Sequence, residues 1–445
     1  SGQVRDLTLS NAAITGNITV GAITGSLSGS LSGIHVTGAV LGNGSNVGGL
    51  VGQLTNGTLQ GASSSASVTG LSNVGGLAGT VQNGTLTDAY STGSVTGTIS
   101  NSSAFAGGLV GNVFDSATLT NTYASGRVRG YTATGGLIGG TFLSTISFAN
   151  SYWDVNSTGQ LSSASGGTAI TSANARSQST YGGFDFANTW VMFEGDTRPM
   201  LRSEYSTTVY TPHALQLIGM NLAGNYRLGT SLDLGAALAT NGNGYYSDVW
   251  GASGFKPLGS DSAAFTGSFN GQGFGLIGLA INRASTNYVG LFGYTSGATL
   301  TNVKLVGGSV TGSDGVGAVV GYMTGGTLGS ASASTTVSGT STGEANTGGL
   351  VGANDGGAIA DASASGNVTG AGYQVGGLVG INFNGGSITR AYATGNVTGT
   401  NPNNGLGYVG GLVGANGYSG NGGSISQSYA TGTVTANLDS VGGLV

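Results

Sequence analysis

One short motif recurs down this chain of 445 residues at a spacing that leaves few folds open. Gly-Gly-Leu begins at Gly48, Gly75, Gly107, Gly135, Gly348, Gly376, Gly410 and Gly442, and a degenerate Gly-Ala-Val copy begins at Gly317. Neighbouring copies lie 27, 32 and 28 residues apart in the first group and 31, 28, 34 and 32 apart in the second. A drifting period of this size marks a stacked-repeat architecture, in which one unit is too small to bury a core alone. Within a repeat such as GGSITRAYATGNVTGT (Gly385 to Thr400), runs of two to six strand-forming residues alternate with Gly and Asn-Gly clusters, and no helical period is sustained. Glycine supplies the positive φ that sharp corners require. Each repeat therefore reads as one coil of an all-β fold, a right-handed parallel β-solenoid (β-helix) with coils of about 27–34 residues.

Stacking places like residues above one another about 4.8 Å apart, which predicts three inward ladders. The first is Leu50, Leu77, Leu109, Leu137, Leu350, Leu378, Leu412 and Leu444, with Val319 in the degenerate coil. The second is Leu59, Leu86, Leu119, Phe148, Leu328, Ile359, Ile388 and Ile425. The third is Val68, Val95, Val128, Val337, Val368, Val397 and Val434. Three buried aliphatics contribute roughly 4–9 kcal/mol per coil before conformational entropy is subtracted, so a coil needs its neighbours.

Composition narrows the function. With 91 Gly, only 4 Pro and no glycine at every third position, collagen is excluded. A 38% hydrophobic and 6% charged chain is also unlike a disordered one. Eleven Lys and Arg against a net charge of −5 cannot build the basic stripe that nucleic-acid binding needs, and they offer little to anionic membranes. No apolar run is long enough for a transmembrane helix. The absence of Cys is compatible with export through an oxidising compartment. Both ends read as cut from something longer, with no signal peptide in view. Two His, His35 and His213, and no Cys argue against a transition-metal site. Irregular Asp, at Asp88, Asp115, Asp355 and Asp361, argues against a regular calcium ladder, and neither a cofactor nor a resident metal is expected. Gly-rich stretches such as GNGSNVGG lack the Gly-Lys-Ser/Thr ending of a phosphate loop.

The pattern VGGLVG…GGSI…SYATGNVTG resembles the GLUG repeat of filamentous-haemagglutinin-like bacterial exoproteins, many of them exported by two-partner secretion. NSYWDVNSTGQ (Asn150 to Gln160) with YGGFDFANTWVMFEGDTRPMLR (Tyr181 to Arg202) resembles the segment that closes such an array, and HALQLIGMNLAGNYRLGTSLDL (His213 to Leu234) the segment that opens one. The resemblance implies residues 1–159 as the C-terminal part of one array, 160–211 as a closing junction, and 212–445 as the opening segment and coils of a second. It also implies an extracellular or bacterial cell-surface filament or adhesin without enzymatic activity, mediating cell-surface or biofilm-matrix attachment. Its implied partners are exopolysaccharide or a host or cell-surface glycan, an outer-membrane two-partner transporter, and further copies of the chain, laterally or end to end. Two alternatives stay open: a purely structural self-associating fibre, and a β-helix carbohydrate-active enzyme. The latter needs clustered carboxylates or basic residues on one face.

The residues outside the ladders supply the candidate sites. Four positions after the second ladder come Ser63, Tyr90, Tyr123, Tyr152, Ser332, Ser363, Tyr392 and Tyr429. A buried Tyr exchanged for Ser would leave a costly cavity, so this exchange predicts an outward, solvent-facing column. Tyr90, Tyr123, Tyr152, Tyr392 and Tyr429 are thus candidate glycan-stacking residues, with mutual ring stacking as the plain structural alternative. The junction concentrates Trp153, Phe184, Phe186, Trp190 and Phe193 and seven of the 27 charges (Arg176, Asp185, Glu194, Asp196, Arg198, Arg202, Glu204), which predicts inward aromatic packing with surface ion pairs. Eight Asn-x-Ser/Thr sequons begin at Asn17, Asn43, Asn56, Asn83, Asn101, Asn156, Asn367 and Asn396, although Asn-rich turns and abundant Ser/Thr produce such triplets by chance.

Overall fold

The computed structural model describes residues 2–99, 104–401, 407–417, 420–438 and 440–445. It is 53% strand and 6% helix, with parallel sheets stacked into a β-solenoid of about 15 turns. The chain divides into two compact units: Ser1–Tyr205 with Ala239–Gly251, and Ser206–Leu238 with Ala252–Val445.

The Gly-Gly step is packed closely both within its coil and against the next one. A Cβ on Gly376 would lie 1.9 Å from the Val379 carbonyl oxygen, and one on Gly377 would lie 2.1 Å from that of Gly411. No side chain fits there, whatever the backbone angles. The Leu that follows turns inward, and its backbone ties the coils together: Leu350 N–H donates to Leu378 O at 2.9 Å, and Leu378 N–H to Leu412 O at 2.8 Å.

Pairing between coils is in register, like over like. Leu59, Leu86, Leu119 and Phe148 stack in the first unit, and Leu328, Ile359, Ile388 and Ile425 in the second. Val68, Val95 and Val128 stack likewise, as do Val337, Val368, Val397 and Val434. The ladders are buried throughout except at Phe148 and at the last coil, where Ile425 and Val434 are half-buried and Leu444 is exposed.

Two residues past the second ladder the chain turns a corner in the left-handed region. The corner residue is Gly61 (φ 57°), Asp88 (48°), Asn121 (51°) and Asn150 (50°) in the first unit; in the second it is Asn302 (54°), Ser330 (51°), Asp361 (54°), Arg390 (50°) and Gln427 (50°). Gly, Asn and Asp tolerate this conformation best, which explains where several of the irregular acidic residues sit. Asp115, another of them, is also left-handed at φ 64°. Beyond the corner, the next outward position is the Tyr/Ser column.

The region expected as a closing junction, 160–211, begins as a continuation of the first array. Thr168–Ile170 pairs with Tyr152–Asp154 and extends the first unit's sheet by one more step. Residues 171–205 then form an irregular strap that lies back over the outer face of the same unit, and residues 239–251 return to it from later in the chain. Among the described residues the one antiparallel strand pair, Trp190–Val191 with Met200–Leu201, belongs to this strap. Near the start of the second unit, after the strand Thr208–Val209, comes a short helix, Pro212–Leu217, that the repeat pattern did not announce; Thr211 caps it by accepting from Ala214 N–H at 3.1 Å, and Pro stands at its first turn.

Candidate functional site

The five candidate tyrosines fall into two groups with opposite surroundings. In the second unit, Tyr392 and Tyr429 occupy adjacent coils and are 39% and 52% exposed. Their rings stack with centroids 5.2 Å apart and planes 5° from parallel. Below them on the same column come Ser363, Ser332 and Lys304. Ala391 and Ala393 on either side point into the core, so a bare aromatic pair stands next to the short side chains of Ser363 and Ser332, with Lys304 beyond them.

Tyr90, Tyr123 and Tyr152 do not form an exposed stripe. They share one column in register and leave the aliphatic core, as the Tyr/Ser exchange implies, yet all three are buried because the strap covers them. Tyr90 and Tyr123 stack 4.8 Å apart at 8°. Trp190 tilts against both, and Tyr181 packs against Tyr123 and Tyr152. Every polar end is used: Tyr90 Oη donates to Glu204 at 2.5 Å, Tyr123 Oη to the Pro199 carbonyl at 2.6 Å, and Trp190 Nε1 to Asp88 at 3.0 Å. Burial raises the Tyr90 and Tyr123 hydroxyls well above their usual range; next in weight come the Glu204 charge for Tyr90 and Tyr181 for Tyr123. Here the structural alternative, rings packing on rings, describes the column.

The strap is fastened by a buried ion pair that the sequence presents only as scattered charges. Arg198 donates to Asp154 Oδ2 at 2.5 Å with both side chains at or below 1% exposure. Asp154 Oδ2 also accepts from Ser172 Oγ at 2.6 Å, and Oδ1 caps the Val155–Thr158 helix through the backbone N–H groups of Asn156 and Ser157. The rest of the Arg198 fork reaches the carbonyls of Asp248 and Tyr246, on the returning segment. Burial alone would raise the Asp154 carboxyl; the Arg198 charge and these hydrogen bonds outweigh it, so it titrates below the ordinary carboxylate range. Nearby Arg176 donates to the carbonyls of Ser172 and Trp250, and burial together with Arg198 pulls it down to about 10.

The other strap carboxylates serve separate local tasks. Asp185 closes a turn by accepting from Ala187 and Asn188, Glu194 accepts from Ser177 and Gln178, and Glu204 holds Tyr90 and the Leu201 N–H. The aromatic residues Trp190, Tyr181 and Phe184 pack inward. No group of three or more His, Asp or Glu placed to hold a metal occurs among the described residues. Of the sequons, Asn17, Asn43, Asn56, Asn83, Asn367 and Asn396 are exposed, Asn156 is half-buried and accepts from Ser172 N–H, and Asn101 lies outside the described residues.

A further polar element went unread. Asn354, Asn382 and Asn416 form a ladder, with amide-to-carbonyl bonds of 2.7 and 2.8 Å between coils. Each amide also donates to a backbone carbonyl of its own turn, those of Gly357, Gly386 and Gly423. The signal was available: each Asn stands four residues after the ladder Leu, in LVGAN, LVGIN and LVGAN.

Comparison with known proteins agrees with the repeat. Residues 70–96, 343–369, 371–398 and 405–435 match the GLUG motif. Over 97 residues, 22% of this chain and 1% of the relative, the sequence is 40% identical to halomucin of Haloquadratum walsbyi. Over 80 residues, 18% of this chain and 9% of the relative, it is 38% identical to a protein of Evansella cellulosilytica described as a Gly-rich membrane protein. The chain thus spans a small part of the length of either relative. It carries GLUG-motif coils folded as a β-solenoid.

Proposed function

We propose that this chain is a non-enzymatic β-solenoid segment of a cell-surface or extracellular protein, and that it contributes to attachment by stacking neutral exopolysaccharide on exposed tyrosine. The observation that carries this reading is the bare Tyr392–Tyr429 pair beside the short hydroxyl side chains of Ser363 and Ser332. Aromatic faces suit the apolar C–H faces of pyranose rings, and the low charge of the chain favours neutral glycans over polyanions. Each contact is weak, so attachment relies on many copies acting together. The GLUG motif and a relative described as a membrane protein support a surface location. Export by a two-partner transporter belongs to the same reading and is tested by asking whether such a transporter is encoded beside the gene. The main test compares retention of the wild type and the Tyr392→Ser/Tyr429→Ser variant on immobilised exopolysaccharide, with unchanged circular dichroism for both. Equal retention would remove the pair as a binding surface.

A second reading, a self-associating fibre, has its own observation. In the first unit the corresponding column is satisfied by polypeptide, so a tyrosine column of this geometry accepts protein cover. Sedimentation velocity separates the two, since a self-associating surface would give concentration-dependent species that the double Ser variant lacks.

A further inference from the structure

The stacking geometry of Tyr392 and Tyr429 restricts where a sugar ring can bind. With centroids 5.2 Å apart and planes within 5° of parallel, nothing inserts between the two rings. A pyranose can therefore use a ring face only at an end of the stack. On the Tyr392 side the column steps down to Ser363, whose side chain is far too short to cover an aromatic face. The step between coils, about 4.8 Å, already accommodates one ring over another at Tyr392–Tyr429, where the centroids lie 5.2 Å apart. A pyranose placed there would take the position of the next ring in the ladder.

The same step is walled by Arg390 and Asp361, the corner residues two positions before Tyr392 and Ser363 respectively. They form a bidentate pair, Nε to Oδ1 at 2.7 Å and Nη2 to Oδ2 at 2.8 Å, with both side chains about half exposed. Two of the five guanidinium donors and two of the roughly four carboxylate lone-pair sites are occupied by the pair itself, which leaves both donors and acceptors for vicinal hydroxyls. The pair has no net charge, and Lys304 lies three coils from Tyr392, roughly 14 Å along the column.

We infer that the uncovered face of Tyr392 above Ser363, flanked by Arg390–Asp361, is a subsite for one neutral pyranose ring. This rests on the glycan-binding reading above and sharpens it: of the two ends of the stack it is the Tyr392 end that the Arg390–Asp361 pair flanks, so Tyr392 makes the contact and Tyr429 backs it.

The test uses the whole chain with cellohexaose, mannohexaose and maltohexaose, and measures affinity by ligand-observed NMR. Millimolar binding of at least one of them is expected for a single stacked face. Tyr392→Ser should weaken it about tenfold. Ser363→Tyr, which fills the step with a residue this register already carries, should weaken it about as much, and Tyr429→Ser should leave it unchanged. Asp361→Gly, the residue the equivalent corner carries at Gly61, removes the wall without straining the left-handed backbone and should cost several-fold. If both Tyr→Ser variants weaken binding while Ser363→Tyr and Asp361→Gly do not, the subsite is wrong and the broader tyrosine reading survives. If no hexaose binds, or no variant changes affinity, both fall.

Discussion

Replacing Asp154 by Asn would leave the Arg198 guanidinium buried at 0% exposure with only the carbonyls of Tyr246 and Asp248 as acceptors. The Asn side-chain oxygen can still cap the Val155–Thr158 helix, so the change isolates the charge from the cap. Removing one partner of a buried pair costs about 3–5 kcal/mol. The cost should fall on the strap, because the aliphatic ladders do not depend on the pair. All three Trp of the chain, Trp153, Trp190 and Trp250, belong to the first unit, so tryptophan emission during urea unfolding reports that unit alone. A lower midpoint by emission is expected, with bulk β-sheet signal retained at the same urea concentration. Asp154→Asn/Arg198→Met removes both charges and should recover most of the loss. An unchanged midpoint in the single variant, or a double variant no better than it, would refute the ion-pair argument. The same bond has a pH signature. Asp154 titrates lower when folded than unfolded, so its stabilisation is present above the unfolded value of about 4 and is lost as pH falls through the folded value. Strap release in the wild type is therefore an acid event below about pH 4, and it should be absent from the pH profile of the double variant.

Further substitutions separate the parts. Tyr90→Ser should destabilise the first unit by about 3 kcal/mol, since it empties a buried ring site and leaves Glu204 without its hydroxyl donor, whereas Tyr392→Ser should stay within about 0.5 kcal/mol; parallel urea titrations of the two variants check this. Leu378→Asp places an unpaired charge in a 0%-exposed ladder and should open the coils around it, read as loss of amide-exchange protection from Val351 to Val413. Asn382→Ala removes the middle of the Asn ladder, leaving its neighbours short of partners, and should cost about 1–3 kcal/mol in the second unit while tryptophan emission stays unchanged.

Most of the solenoid was legible because its constraints are local to a coil and repeat. Most of the Gly-Gly steps are fixed by carbonyl oxygens within about 2 Å of an added Cβ, as at Gly376 and Gly377, and the ladder residues by burial against copies of themselves. Repetition turns each into a visible column of the sequence. The strap was not legible in this way. Its partners lie 102 residues away for Trp190 and Asp88 and 114 for Tyr90 and Glu204, and nothing periodic connects them. Residues 239–251 are harder still, since they sit beyond the start of the second unit and yet return to the first.

The tyrosine column shows where the sequence argument stopped short. Exchange between Tyr and Ser correctly implied that the position leaves the aliphatic core. It could not distinguish solvent from a cover made elsewhere in the chain, because the cavity argument compares residues in one fixed environment. Here the environment changes along the column: Ser63 meets the His35 ring at 2.9 Å, one coil later Tyr90 meets Trp190 and Glu204, and among the described residues the aromatic partner of Tyr392 is Tyr429. The corner residue two positions earlier carries part of the distinction. Under the strap it is Asp88, Asn121 or Asn150, each with an acceptor oxygen, and Asp88 receives the Trp190 N–H. Beside Tyr392 it is Arg390, which offers donors only and is already turned to Asp361. An indole N–H laid against that corner would find no acceptor on the arginine and would have to reach the carboxylate of Asp361 one coil away, so the corner chemistry differs between the two columns even though both sit beside tyrosine.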